Sequence, residues 1–176
     1  MPETFALAQE VVARATRAGV RIATAESLTG GLLAAALVAV PGASNAFSGG
    51  VVAYDTQLKA TILGVDETLL RDRGPVDPEV ATQMAAGVRT VCAVAAGDGS
   101  AARVPAAIGI ATTGVAGPAA DPQSGQPAGT VWLALSTVAG EQAEQVSAAG
   151  ETRDEIREAT VVAALTLLLD HLRSIG

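Results

Sequence analysis

Lys59 is the only lysine among eleven basic residues; the other ten are arginines. Arginine keeps its proton in a protein, whereas a buried lysine can be tuned to release it. Fifteen residues upstream, Ser44 closes the turn Pro41-Gly42-Ala43-Ser44, and Tyr54 lies between the two. A serine beside a neutral lysine is a nucleophile–base pair for acyl transfer. Composition equally allows Lys59 to be a solvated lysine in an arginine-biased chain, and it leaves both readings standing. His171 is the single histidine. Its place near the end of the last helical segment suits a charge at a helix C-terminus better than a Ser-His-Asp triad. If the chain does acyl chemistry, Lys59 is therefore the base available. The acidic residues are scattered without metal-ligand spacing, so neither a metal nor a cofactor is expected.

Two glycine-bearing loops follow candidate strands. Glu26-Ser27-Leu28-Thr29-Gly30-Gly31 joins a strand to a helix. Free backbone N–H groups there, beside the hydroxyls of Ser27 and Thr29, would suit a phosphate or a developing oxyanion. No lysine follows Gly30 and Gly31, so the loop is not a Walker A motif, nor does it match a dinucleotide fingerprint. A tight strand–helix turn that needs glycine is the plainer reading. Thr112-Thr113-Gly114-Val115-Ala116-Gly117-Pro118 opens a second, longer loop. Loops of that length in a compact domain are often functional, although an exposed connection would read the same way.

The elements that must hold these residues follow from periodicity. Ala6, Val11, Val12 and Ala15 recur at helical spacing over 4–18. Strands are expected at 20–25 and 47–54, with a helix at 32–38 between them for which Thr29 is the expected N-cap. A short helix carrying Lys59 should start at Asp55 or Thr56, and 69–74 should be a short turn. Asp77-Pro78 opens a helix over 79–94. A mobile small-residue loop is expected at 95–104, strands at 106–112, 129–137 and 142–148, and a final helix over 151–172. Helices between most strands predict an α/β fold: a single domain, 1–176, built as a three-layer α/β/α sandwich on a mixed, mostly parallel sheet.

Composition narrows the function classes. The chain has 176 residues, 49% hydrophobic and 16% charged, which is globular rather than disordered. A net charge of −7 and 2% aromatic content argue against a nucleic-acid surface. One cysteine, Cys92, precludes an internal disulfide. No signal peptide and no membrane-spanning run are apparent, so a cytoplasmic location is expected.

Several runs in order resemble a known family. They are Ala25-Glu26-Ser27-Leu28-Thr29-Gly30-Gly31, Val40-Pro41-Gly42-Ala43-Ser44, and Gly49-Gly50-Val51-Val52-Ala53-Tyr54 followed by Lys59. Leu63-Gly64-Val65, Thr113-Gly114-Val115-Ala116-Gly117-Pro118 and Pro127-Ala128-Gly129-Thr130-Val131 complete the set. Together they resemble the C-terminal domain of the competence/damage-inducible protein CinA, whose stand-alone form is the nicotinamide-nucleotide amidohydrolase. The resemblance implies a three-layer α/β/α fold and hydrolysis of the carboxamide of nicotinamide mononucleotide by a serine–lysine pair, in the service of pyridine-nucleotide salvage. By position the implied catalytic residues are Ser44, Lys59 and Tyr54. Ser27, Thr29, Gly30, Gly31, Thr113, Gly114 and Arg153 are the candidates for substrate contact, Arg153 for the phosphate. A small-molecule substrate is the implied partner, and a homodimer the implied assembly. The chain departs from the family pattern at Leu28, where cysteine is usual, at Ala119-Ala120, where two glycines are common, and at Gln126, often lysine. Two alternatives stay open: a catalytically silent pyridine-nucleotide-binding or regulatory module, and an amidase for another small amide.

Overall fold

Side-chain caps set most of the helix starts. In the computed structural model, which describes residues 2–96, 99–148, 150 and 152–175, Asp55, Asp66 and Asp77 accept the first free N–H groups of α3 (Thr56–Thr61), α4 (Glu67–Arg73) and α5 (Pro78–Val91). Thr152 and Glu155 form a reciprocal capping box at the start of α6 (Arg153–Ser174). Glu151, where the sequence places the start of this last helix, lies outside the described residues. The remaining helices are α1 (Pro2–Ala18) and α2 (Leu32–Val38). The N-cap of α2 is Gly31, not Thr29, and it makes no side-chain cap.

Five strands make the main sheet in the order β2-β1-β5-β6-β7. They are β1 (Ile22–Glu26), β2 (Phe47–Val52), β5 (Ile108–Gly114), β6 (Thr130–Thr137) and β7 (Gly140–Ser147). Strand β1 pairs in parallel with β2 and β5, while β6 runs against both β5 and β7. Four of the five strands therefore share one direction, and only β6 is reversed. Two further strands, β3 (Val94–Ala95) and β4 (Arg103–Val104), pair antiparallel where the sequence suggests only a loop. The tip of that segment, residues 97 and 98, lies outside the described residues.

The two faces of the sheet are packed differently, and the alternation of residue types along each strand decides which face is which. Ile22, Ile108, Ile110, Leu133 and Leu135 point to the layer of α1, α2 and α6 and form a branched-chain core. Their neighbours Ala23, Ala25, Ala111 and Ala134 face α5. Small side chains there let α5 approach closely. A Cβ on Gly109 would sit 2.0 Å from the carbonyl oxygen of Ala85, and one on Gly87 would sit 1.9 Å from that of Leu63. Sheet and helices thus make the three-layer α/β/α sandwich, and its parallel strands β1, β2 and β5 all end on one edge.

Candidate active site

That carboxyl edge gathers the site. In open α/β sheets ligands settle beyond the carboxyl ends of parallel strands, where the chain leaves the sheet and backbone groups are free. Ser27 follows β1, Ala53 and Tyr54 follow β2, and Thr113 and Gly114 end β5. Ser27, Tyr54, Lys59, Thr113, Gly114 and Arg153 line one cavity of about 430 Å³.

Lys59 reaches this edge from α3. Its side chain is buried, at 1% exposure, in spite of its charge. The Nζ donates to the Ser27 Oγ at 2.9 Å and to the Ala53 carbonyl oxygen at 2.8 Å. Burial pushes its pKa down from 10.5 to about 8, against an opposing pull from the Asp55 carboxylate. At about 8, roughly one lysine in ten is neutral at pH 7; at 10.5 it would be about one in three thousand. A neutral Lys59 can keep one proton on the Ala53 carbonyl and turn its lone pair to the Ser27 hydroxyl, which is the geometry a general base requires.

The serine beside Lys59 is therefore Ser27 and not Ser44. Ser44 is exposed and belongs to a different cavity, with Val40, Pro41 and Phe47. Its carbonyl oxygen accepts from Arg21, which precedes β1. Ser44 thus lies at the amino edge of the sheet, and the whole of β2 separates it from Tyr54. Six residues of strand span about 20 Å, far beyond the reach of a hydrogen bond. Closeness in sequence misled here because the intervening residues form an extended strand.

The Ser27 turn also differs from expectation. The buried Glu26 carboxylate accepts the N–H groups of Gly31 (2.9 Å), Leu33 (3.1 Å) and Ala34 (2.8 Å), so it caps α2 from within the chain. The Gly30 N–H bonds to the Ser27 carbonyl at 3.1 Å. Thr29 Oγ1 is shared with Thr112 Oγ1 at 2.8 Å, fully buried. Thr29, Gly30 and Gly31 therefore support the turn and are not among the cavity-lining side chains: the Thr29 hydroxyl and the Gly30 and Gly31 N–H groups are committed to protein. By contrast, the N–H groups of Leu28 and Thr29 have no acceptor among the described residues, and Leu28 lines the cavity.

Tyr54 and Arg153 meet across the cavity mouth. Arg153 donates to the Tyr54 hydroxyl oxygen and to the Gly117 carbonyl, the latter at 3.0 Å. Tyr54 is 57% exposed, and its hydroxyl meets Arg153 and makes no hydrogen bond to Lys59. Thr113 donates to the Pro75 carbonyl at 2.7 Å and ties the end of β5 to the segment entering α5.

Sequence reasoning missed four contributors. Pro75 and Val76 form one wall, Asp121 another, and Arg157 braces the turn from α6. Ala119 and Ala120 lie on the cavity wall, as does Leu28, so the departures from the family pattern fall at the site. Gln126, by donating to the Val76 carbonyl at 2.7 Å, supports that wall from outside. The role of Glu26 had one sequence signal: an acid followed by Ser-Leu-Thr-Gly-Gly at a helix start. Arg157 had none, being 129 residues from the backbone it holds. Among the described residues no cluster of His, Cys, Asp or Glu could hold a metal ion, and no helix is long and apolar enough to cross a membrane.

Comparison with known proteins agrees with this architecture. The family model for the CinA C-terminal domain matches residues 4–172. The chain is 47% identical over 147 residues to a CinA-like protein of Frankia casuarinae, covering 84% of this chain and 30% of that one. It is 43% identical over 156 residues to a putative competence-damage inducible protein of Desulforamulus reducens, covering 89% and 34%. The chain thus spans about a third of the length of these curated relatives. Among solved structures, the competence/damage inducible protein CihA from Agrobacterium tumefaciens superposes with a TM-score of 0.83 at 32% identity, covering 97% of this chain and 96% of that one. A CinA superfamily protein from Klebsiella pneumoniae gives 0.85 at 30%, covering 97% and 98%.

Proposed function

Since the chain belongs to the CinA C-terminal domain family, we propose that it is an amidohydrolase for the carboxamide of nicotinamide mononucleotide, with Ser27 as nucleophile and Lys59 as general base. The observation that carries this reading is the buried 2.9 Å contact between Lys59 Nζ and Ser27 Oγ at the wall of a cavity. A lysine placed there for packing alone would cost free energy, whereas a lysine held partly neutral is matched to deprotonating a hydroxyl near neutral pH.

The Ser27 Oγ attacks the amide carbon while its proton passes to the neutral Lys59 Nζ. The N–H groups of Leu28 and Thr29, without an acceptor among the described residues, stabilise the oxyanion. Lys59 then gives the proton to the departing nitrogen, the C–N bond breaks, and ammonia leaves an ester on Ser27. Water attacks that ester with Lys59 again taking the proton, and the carboxylic acid departs as Ser27 is restored. Arg153, at the cavity mouth beside Tyr54, provides the cation for the substrate phosphate.

The test is ammonia release from nicotinamide mononucleotide by the parent, Ser27→Ala and Ser44→Ala. Release by the parent and Ser44→Ala, absent from Ser27→Ala, is expected. A Ser27→Ala protein that keeps normal turnover refutes the nucleophile. A folded parent that binds the nucleotide but releases nothing refutes the activity.

A further inference from the structure

The turn that carries Ser27 is held from two sides, and only one of them is built from neighbouring sequence. Below it, the Glu26 carboxylate takes three N–H groups at the start of α2. Above it, the Arg157 guanidinium donates from Nε to the Leu28 carbonyl at 3.0 Å and from Nη2 to the Thr29 carbonyl at 3.1 Å. Its third nitrogen, Nη1, pairs with Asp154 at 3.1 Å. Asp154 is 82% exposed, so that pair is a screened surface contact, while the two carbonyl bonds are part-buried.

These two carbonyls belong to the peptide units Leu28–Thr29 and Thr29–Gly30. A planar peptide turns as one body. Fixing the Leu28 carbonyl therefore fixes the direction of the Thr29 N–H. The bond to the Thr29 carbonyl likewise fixes the Gly30 N–H, which closes the turn onto Ser27. Donation from a cation also polarises the Leu28–Thr29 amide and strengthens its N–H as a donor. The planar fork of arginine donates from two separate nitrogens to two consecutive carbonyls, whereas a lysine has a single nitrogen to donate from.

We propose that Arg157 is a positioning residue for catalysis: by clamping the carbonyls of Leu28 and Thr29 it holds the uncommitted Thr29 N–H beside Ser27 in the orientation that receives the oxyanion. This rests on the reading of Ser27 as nucleophile. Arg157 makes no hydrogen bond to Lys59 or to Ser27, so its loss weakens the Thr29 oxyanion donor and leaves the base alone.

The experiment uses a serine-directed alkyl fluorophosphonate, which needs no knowledge of the substrate. Ser27 Oγ bonds to phosphorus, its proton passes to Lys59 and fluoride leaves, and the mass increase is followed on the intact protein from pH 6 to 9. The parent is expected to label at Ser27. Arg157→Met should label about 30-fold more slowly, as expected for loss of an oxyanion donor's orientation, with the pH midpoint unchanged. Arg157→Lys, able to reach one carbonyl, should fall between the two, and Asp154→Asn should label at the parent rate. If Arg157→Met fails to fold, Arg157→Lys carries the comparison. Labelling at the parent rate in the Arg157 variants overturns the proposal while Ser27 stands as nucleophile. A shifted pH midpoint in those variants also overturns it, because Arg157 would then be acting through Lys59. A parent that does not label at Ser27 removes the nucleophile, and this inference with it.

Discussion

Replacing Lys59 by methionine isolates the free energy stored in its burial. Methionine keeps the length and apolar stem and cannot take a proton. In the folded protein burial lowers the Lys59 pKa from 10.5 to about 8, so between those values the unfolded chain binds more protons than the folded one. Stability then rises with pH across that window, and it gains nothing below pH 8, where Lys59 is protonated in both states. With 10.5 unfolded and about 8 folded, linkage gives about 2–3 kcal/mol between pH 7 and pH 10. Lys59 is 1% exposed, so solvent does little to screen this difference. The assay is urea unfolding of the parent and of Lys59→Met at pH 7, 8, 9 and 10 at constant ionic strength, followed by the fluorescence of Trp132, the single tryptophan. Cys92, whose thiol pKa burial raises, is present in both proteins and cancels in the difference. The parent should gain on the variant by about 2–3 kcal/mol over this range. A difference that stays flat from pH 7 to pH 10 would show that Lys59 is not held against its charge, and the general-base argument would fail with it.

If Lys59 is the base, kcat/KM for ammonia release should rise about tenfold per pH unit below pH 8 and level off above it. Asp55→Asn, by removing the carboxylate that opposes the lowering, should move that midpoint to lower pH in the same measurement. Gly109→Ala should destabilise by about 2–3 kcal/mol, read as a fall in urea midpoint, because its Cβ would press on the Ala85 carbonyl of α5; an unchanged midpoint would mean that α5 can move off the sheet freely. Asp77→Ala removes both the cap of α5 and the 2.7 Å ion pair to Arg73. It should cost about 1–2 kcal/mol in the same unfolding assay.

The parts of this protein that could be read from sequence are those governed by local rules. Helix starts at Asp55 and Asp77 were legible because an aspartate cap acts within three residues of itself. The apolar run over 106–112 marked a strand, and the helices interleaved with most strands implied the layered fold. Lys59 stood out because a lone lysine in an arginine-rich chain invites a chemical reason. Helix α4 was read only as a short turn: seven residues with a polar exposed face give little periodicity.

The serine partner of Lys59 was a question of a different kind. Ser44 is the nearer of the two candidates in sequence, and Ser27 lies 32 residues from Lys59. Only the parallel pairing of β1 with β2 decides between them, because it brings Ser27 and Ala53 to the same sheet edge while β2 carries Ser44 to the opposite one. The same holds for Arg157, whose bonds to Leu28 and Thr29 exist because α6 packs on the face where α2 begins. Sequence by itself determined the elements, the layered class and the presence of a tunable lysine, since each follows from short-range propensity or residue chemistry. Tertiary structure alone decided which hydroxyl that lysine meets and which backbone donors stand beside it, because those contacts depend on strand direction and register across distant parts of the chain.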